Sequence, residues 1–138
     1  MLDYNKILKN NLVNVFKDIL NHIKLNGLQT TNQFYITFQT NHNKVEMPNW
    51  LRKKYPFEMT IVLQHEYYDL IVNNNYFSIT LSFQDIKSKL KIDYDSIISF
   101  ADPSVNFGLV LKKNIIEKKE EKSKQNNNVI NFSHFKKT

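Results

Sequence analysis

The chain has 138 residues, 41% of them hydrophobic, which allows one domain with a real core plus appendages. It contains no Cys, which excludes a disulfide framework and a thiolate metal site. The net charge of +6 is unevenly placed: from Lys112 onward there are eight Lys and three Glu, so residues 1–111 are nearly neutral. A nucleic-acid binder usually carries its basic patch on the folded domain, so this distribution argues against that class.

Residues 4–25 carry Tyr4, Ile7, Leu8, Leu12, Val15, Phe16, Ile19, Leu20 and Ile23 at spacings of three and four. That is the helical period, with Asp3 as N-cap and Asn26-Gly27 as the C-terminal stop. The apolar stripe is wider than one sheet contact requires. It predicts either a helix sunk deep in its own core or a helix with a second face for a partner subunit.

After Gly27 the period changes to two. "QFYITFQT" alternates Phe34, Ile36 and Phe38 with Tyr35, Thr37 and Gln39, and "EMTIVLQH" puts Met59, Ile61 and Leu63 on one face. "YYDLIV", "NNN" and "YFSITLSF" read as a hairpin with an Asn turn. "LKID" reads as a short strand, "YDSIISF" as a single helical turn, "ADPS" as a tight turn, and "VNFGLVL" as a last strand. Gly108 in that strand suggests a bulge or a close approach. Between the early strands, "VEMPNWLRKKYPFEM" holds two of the three prolines and the only Trp, and is long enough to be a functional loop. In the alternative, Trp50 and Tyr55 plug one end of a barrel. The predicted class is α+β, mainly β: one helix, then six or seven strands in a small, strongly curved antiparallel sheet or partly open barrel.

No catalytic constellation is visible. His22, His42, His65 and His134 lack the spacing of metal ligands on one element. Asp69, Asp85, Asp93, Asp95 and Asp102 fall at strand ends and turns, where Asx capping accounts for them. The two glycines are far apart, so no phosphate-cradling loop exists, and the nucleophile-elbow and zincin motifs are absent. The expectation is a binding protein without a cofactor, metal or catalytic residues. No apolar run approaches 18 residues and no signal segment is apparent, so a soluble cytoplasmic protein without membrane contact is expected.

Residues 112–128, "KKNIIEKKEEKSKQNNN", have the composition of a flexible charged linker, spanning roughly 20–25 Å as a coil. Beyond it stand Val129, Ile130, Phe132 and Phe135, apolar groups past a run that cannot fold. The expected division is 1–111 as the folded domain (helix about 4–25, barrel about 33–111), 112–128 as linker, and 129–138 as a docking motif.

"FYITFQTNHNKVEMPNWLRKKYPFEMTIVLQHEYYDLIV", "FSITLSFQDI" and "FADPSVNFGL" resemble the stringent starvation protein B family, in its alphaproteobacterial branch, across nearly all of residues 4–111. "VINFSHFKK" resembles the branch's terminal pattern Val-Val-x-Leu/Phe-x-x-Phe-Arg/Lys-Lys. The resemblance implies a helix followed by an Sm-like, partly open β-barrel with a disordered C-terminal tail. It implies a homodimer formed largely through the N-terminal helix, with Leu8, Leu12, Val15 and Ile19 as contacts. It implies a groove for the ssrA-type tag that trans-translation adds to stalled nascent chains. By position the groove residues are Met47, Trp50, Leu63, Leu81 and Phe83, for each of which plain core packing is the competing reading. Finally it implies that Val129, Ile130, Phe132, Phe135, Lys136 and Lys137 dock on the ClpX unfoldase, delivering tagged polypeptides to ClpXP. The competing function is an Sm-like RNA-binding protein, which the near-neutral body disfavours.

Overall fold

The structure, a computed structural model, describes residues 2–27, 33–64 and 66–112. His65 and the whole of the expected docking motif lie outside the described residues, as does the linker apart from Lys112.

Helix α1 (Tyr4–Asn26) begins where the Asp3 carboxylate accepts the Lys6 N–H at 3.1 Å. It ends at Gly27, whose φ of 74° suits glycine and whose N–H donates to the Ile23 carbonyl at 2.7 Å. Phe16, Leu20 and Ile23 are its buried line. Strand β1 (Phe34–Gln39) follows, and then a six-residue helix, α2 (Asn49–Lys54), where the sequence suggests only a loop. Pro48 sets its first turn, and the Arg52 guanidinium donates to the carbonyls of Thr40 and Val45, closing the loop before it.

The remaining strands are β2 (Glu58–Leu63), β3 (Tyr68–Val72), β4 (Tyr76–Phe83), β5 (Ile86–Asp93), β6 (Ile97–Asp102) and β7 (Phe107–Val110). They form two antiparallel sheets, β2-β1-β6-β7 and β3-β4-β5, which do not close into a barrel among the described residues. An N-terminal helix followed by an open antiparallel β-structure is the expected fold class.

Two local expectations need correction. "YDSIISF" is helical only over Tyr94–Ser96; Ile97 onward is strand β6, because its residues pair with both β1 and β7. "LKID" is the end of an eight-residue strand whose first half carries no apolar alternation, since the inward position there is the small, buried Ser88. Gly108 pairs in register with Ala101. Irregularities lie instead in β6, where the register against β1 shifts between Thr37 and Phe38, and in β3, where the register against β4 shifts between Tyr68 and Ile71. Ile98 of β6 accepts hydrogen bonds from the N–H groups of Leu111 and Lys112, at 2.8 and 3.1 Å. The β4–β5 hairpin turns through Gln84 and Asp85 at φ of 52° and 66°, the positive pair that a two-residue hairpin requires.

The core sits between the two sheets and under α1. Phe16 is fully buried and meets Phe77 and Tyr94 on the three-stranded side and Phe100 on the four-stranded side edge-on, at centroid distances of 5.7, 6.1 and 5.8 Å. One helical side chain therefore joins all three layers. Of the alternating apolar positions, Ile36, Phe38, Met59, Ile61, Leu63, Phe77, Ile79 and Leu81 are buried, while Phe34 and Phe83 at the strand ends are half-buried against the core.

Candidate functional site

The alternation that fills the core leaves the opposite phase of β3, β4 and β5 on an outer face. Across it the register pairs Ser78 with Lys91 and Ile71, and Thr80 with Lys89 and Tyr68. The segment before α2 folds back over this face. Glu46 and Lys91 exchange both backbone hydrogen bonds, each at 2.9 Å, forming an isolated bridge on the β5 edge. Met47 and Pro48 then stand beside the sheet as a wall.

The result is an open cleft of about 540 Å³. Its wall is Glu46, Met47 and Pro48; its floor and far side are Ile71 and Asn73 of β3 and its turn, Tyr76 and Ser78 of β4, and Lys89 and Lys91 of β5. Apolar and hydrogen-bonding groups both line it. That combination suits an extended chain segment, which needs pockets for side chains and polar partners for its backbone.

Of the five residues assigned to a groove by position, Met47 lines this cleft. Leu63 has no exposed surface, and Leu81 is buried on the inner face of β4. Trp50 and Phe83 are half-buried and packed against the core. Ile71, Tyr76, Ser78, Lys89 and Lys91 are absent from the residues that sequence reasoning selected. The signal for them is the outward phase of the strand alternation, whose polar side chains look the same in sequence whether they face solvent or a cleft.

The apolar stripe of α1 continues past the core. Leu8 and Val15 remain 45% and 41% exposed, while Leu12 and Ile19 are half-buried at the margin of the core. At 3.6 residues per turn these four follow one flank of the helix. Lys6, Asn10, Val13 and Lys17 follow the other flank and line a second, wider cleft of about 860 Å³ with Lys44, Asn74 and Asn75.

A polar node lies between α1 and the end of β7. The Asp95 carboxylate accepts from Lys9 of α1 and, at 3.2 Å, from His42 Nε2. Lys112 Nζ donates to the Asp95 carbonyl at 3.1 Å and to Gln39 at 2.7 Å. Burial alone would raise the Asp95 pKa; the hydrogen bonds from Lys9 and His42 and the charges of Lys9 and Lys112 outweigh it and hold the carboxyl down to about 2. Burial, with the neighbouring Asp93 charge, pushes the Tyr94 hydroxyl well above its usual value, and that hydroxyl donates to the Asn73 carbonyl at 2.8 Å. Asp93 and Asp102 act as turn caps, accepting from the N–H groups of Asp95 and Ser104. No group of three or more metal-ligating side chains occurs among the described residues. Nor is any described helix long and apolar enough to cross a membrane.

Fold and cleft together define a small α+β domain with an open cleft on its three-stranded sheet. A family model described as stringent starvation protein B matches residues 7–136. The chain therefore belongs to the stringent starvation protein B family. Proteins of that family are adaptors and not enzymes, and membership supports a general role with the ClpXP protease. No match is found among curated proteins.

Proposed function

We propose that this protein is a non-enzymatic adaptor that holds an ssrA-type degradation tag in the cleft beside Met47 and brings it to the ClpX unfoldase. The observation carrying this reading is the cleft itself. It forms where the Pro-containing segment that resembles the family's groove loop crosses β5, through the Glu46–Lys91 bridge. An extended tag there meets Met47, Pro48 and Ile71 with its apolar side chains, and Asn73 and Ser78 with its backbone.

The subunits pair through the α1 stripe of Leu8, Leu12, Val15 and Ile19. Residues 1–111 form the tag-binding and dimerisation domain. The tether follows Lys112, which the body still holds through Gln39 and Asp95. Residues 129–138, with Val129, Ile130, Phe132, Phe135, Lys136 and Lys137, form the ClpX-docking motif. Two modest contacts joined by a tether make the substrate's encounter with the unfoldase effectively intramolecular. Two tails per dimer add avidity. The protein acts in the cytoplasm, where ClpXP works.

Fluorescence anisotropy of a labelled tag peptide tests this reading. The full chain and a chain ending at residue 128 are expected to bind the peptide equally, while only the full chain stimulates ClpXP degradation of a tagged substrate. Absence of saturable binding, or a large loss of tag affinity on truncation, refutes it.

A further inference from the structure

The lining of the cleft offers two kinds of chemistry. Met47, Pro48 and Ile71 give apolar surface, while β5 gives ammonium groups from Lys89 and Lys91, with Lys87 next along the same face. These lysines occupy one phase of the strand, alternating with the buried Ser88, Leu90 and Ile92. Alternate residues on one strand face are about 6.7 Å apart, so the three charges repel one another.

Their surroundings are unequal. Lys91 Nζ lies 4.4 Å from the centre of the Tyr76 ring and 3.5 Å from the Glu46 carboxylate. Lys87 Nζ lies 4.4 Å from the centre of the Tyr68 ring. Lys89, between them, has neither a carboxylate nor an aromatic ring as partner among the described residues, and its cross-strand neighbour is the uncharged Thr80. An uncompensated ammonium flanked by two like charges, on the lining of an open cleft, is matched by an anionic group on whatever fills the cleft. The near-neutral body makes this concentration of positive charge local.

We infer that the cleft selects extended peptides carrying a carboxylate beside an apolar side chain, with Lys89 as the specificity-determining residue. The inference rests on the adaptor reading above and narrows it. The apolar side chain seats against Met47 and Ile71. The carboxylate pairs with Lys89 and shares the field of Lys91, whose own partner, Glu46, sits beside it on the β5 edge.

The test uses the full chain and two labelled peptides: the tag encoded by the host's transfer-messenger RNA, and the same peptide with every Asp and Glu replaced by Asn and Gln. A partly exposed charge pair predicts about fivefold tighter binding of the acidic peptide to the wild-type protein. In Lys89→Gln the ratio of acidic-peptide to amide-peptide affinity shrinks to about twofold, since the removed interaction is electrostatic and any other change at the cleft acts on both peptides. Equal affinities for the two peptides in the wild type overturn the inference but leave the adaptor reading standing. So does a Lys89→Gln variant that weakens both peptides alike, or a host tag without Asp or Glu. Failure of both peptides to bind overturns the adaptor reading itself. Displacement of the peptide by an oligouridylate probe at lower concentration than by unlabelled tag, lost in Lys89→Gln, assigns the lysines to RNA and overturns the inference.

Discussion

Replacing Leu8 and Val15 together by Gln separates the second face of α1 from the fold. Gln keeps the helix, since its propensity is close to that of Leu and better than that of Val. Full burial of a Leu or Val side chain stabilises by about 1.5–3 kcal/mol. In the monomer 45% of Leu8 and 41% of Val15 is still exposed, so roughly two fifths of that energy is left for a partner. This gives about 0.6–1.3 kcal/mol per side chain, or about 2.5–5 kcal/mol for the four side chains of a symmetric dimer. The dimer dissociation constant of the variant should rise by about two to four orders of magnitude. On the same scale the covered three fifths of each side chain contribute about 0.9–1.8 kcal/mol, so the fold should lose at most about 2–3 kcal/mol per subunit, less what the Gln methylenes retain. Sedimentation velocity across a concentration series measures the first effect, and urea unfolding below the dissociation concentration measures the second. A wild-type protein that sediments as a monomer throughout, or a variant with unchanged dissociation, refutes the assignment of this stripe to self-association.

Two further outcomes follow from the structure. Phe16→Ala should cost about 3–5 kcal/mol, a large part of a small domain's stability, because its ring is fully buried against Phe77, Tyr94 and Phe100 in both sheets. Urea unfolding followed by near-ultraviolet circular dichroism reads it, and a loss under about 1 kcal/mol contradicts the role of Phe16 in joining the layers. Asp95→Asn should destabilise by about 0.5–1 kcal/mol near neutral pH, a modest figure because the Asp95 side chain is 57% exposed. The folded carboxyl, at about 2, lies below its ordinary value of 3.8, so its contribution is complete above that ordinary value and is lost as pH falls toward about 2. Unfolding midpoints of wild type and variant should converge over that window; a gap that persists in acid rules out the ion pair as its source.

Much of the fold is legible in the chain. The helix caps are local: Asp3 bonds three residues ahead, and Gly27 supplies the positive φ that ends α1. The existence and the buried phase of β1, β2 and β4 follow from a two-residue period, which any strand with one buried face must display. The charge of the tail and the apolar residues beyond it are likewise matters of composition. Where apolar alternation fails, as at Ser88 in β5, the sequence understates the strand, because a small buried residue leaves no hydrophobic mark.

The candidate cleft is a different case. Alternation tells which side chains share a face, but not what covers that face. Leu63 and Leu81 are in the inward phase, and the inside is sealed core. The outward phase becomes a cleft only because Glu46 pairs with Lys91 across the sheet edge and sets Met47 and Pro48 against Ile71. In the same way Asp95 looks like one more turn carboxylate until folding brings Lys9 to it from 86 residues away. The type and burial phase of α1, β1, β2 and β4 are set by neighbours along the chain, so the sequence alone determines them. The wall of the cleft, the isolation of Lys89 and the Asp95 node depend on pairings between distant segments, and only the tertiary structure decides those.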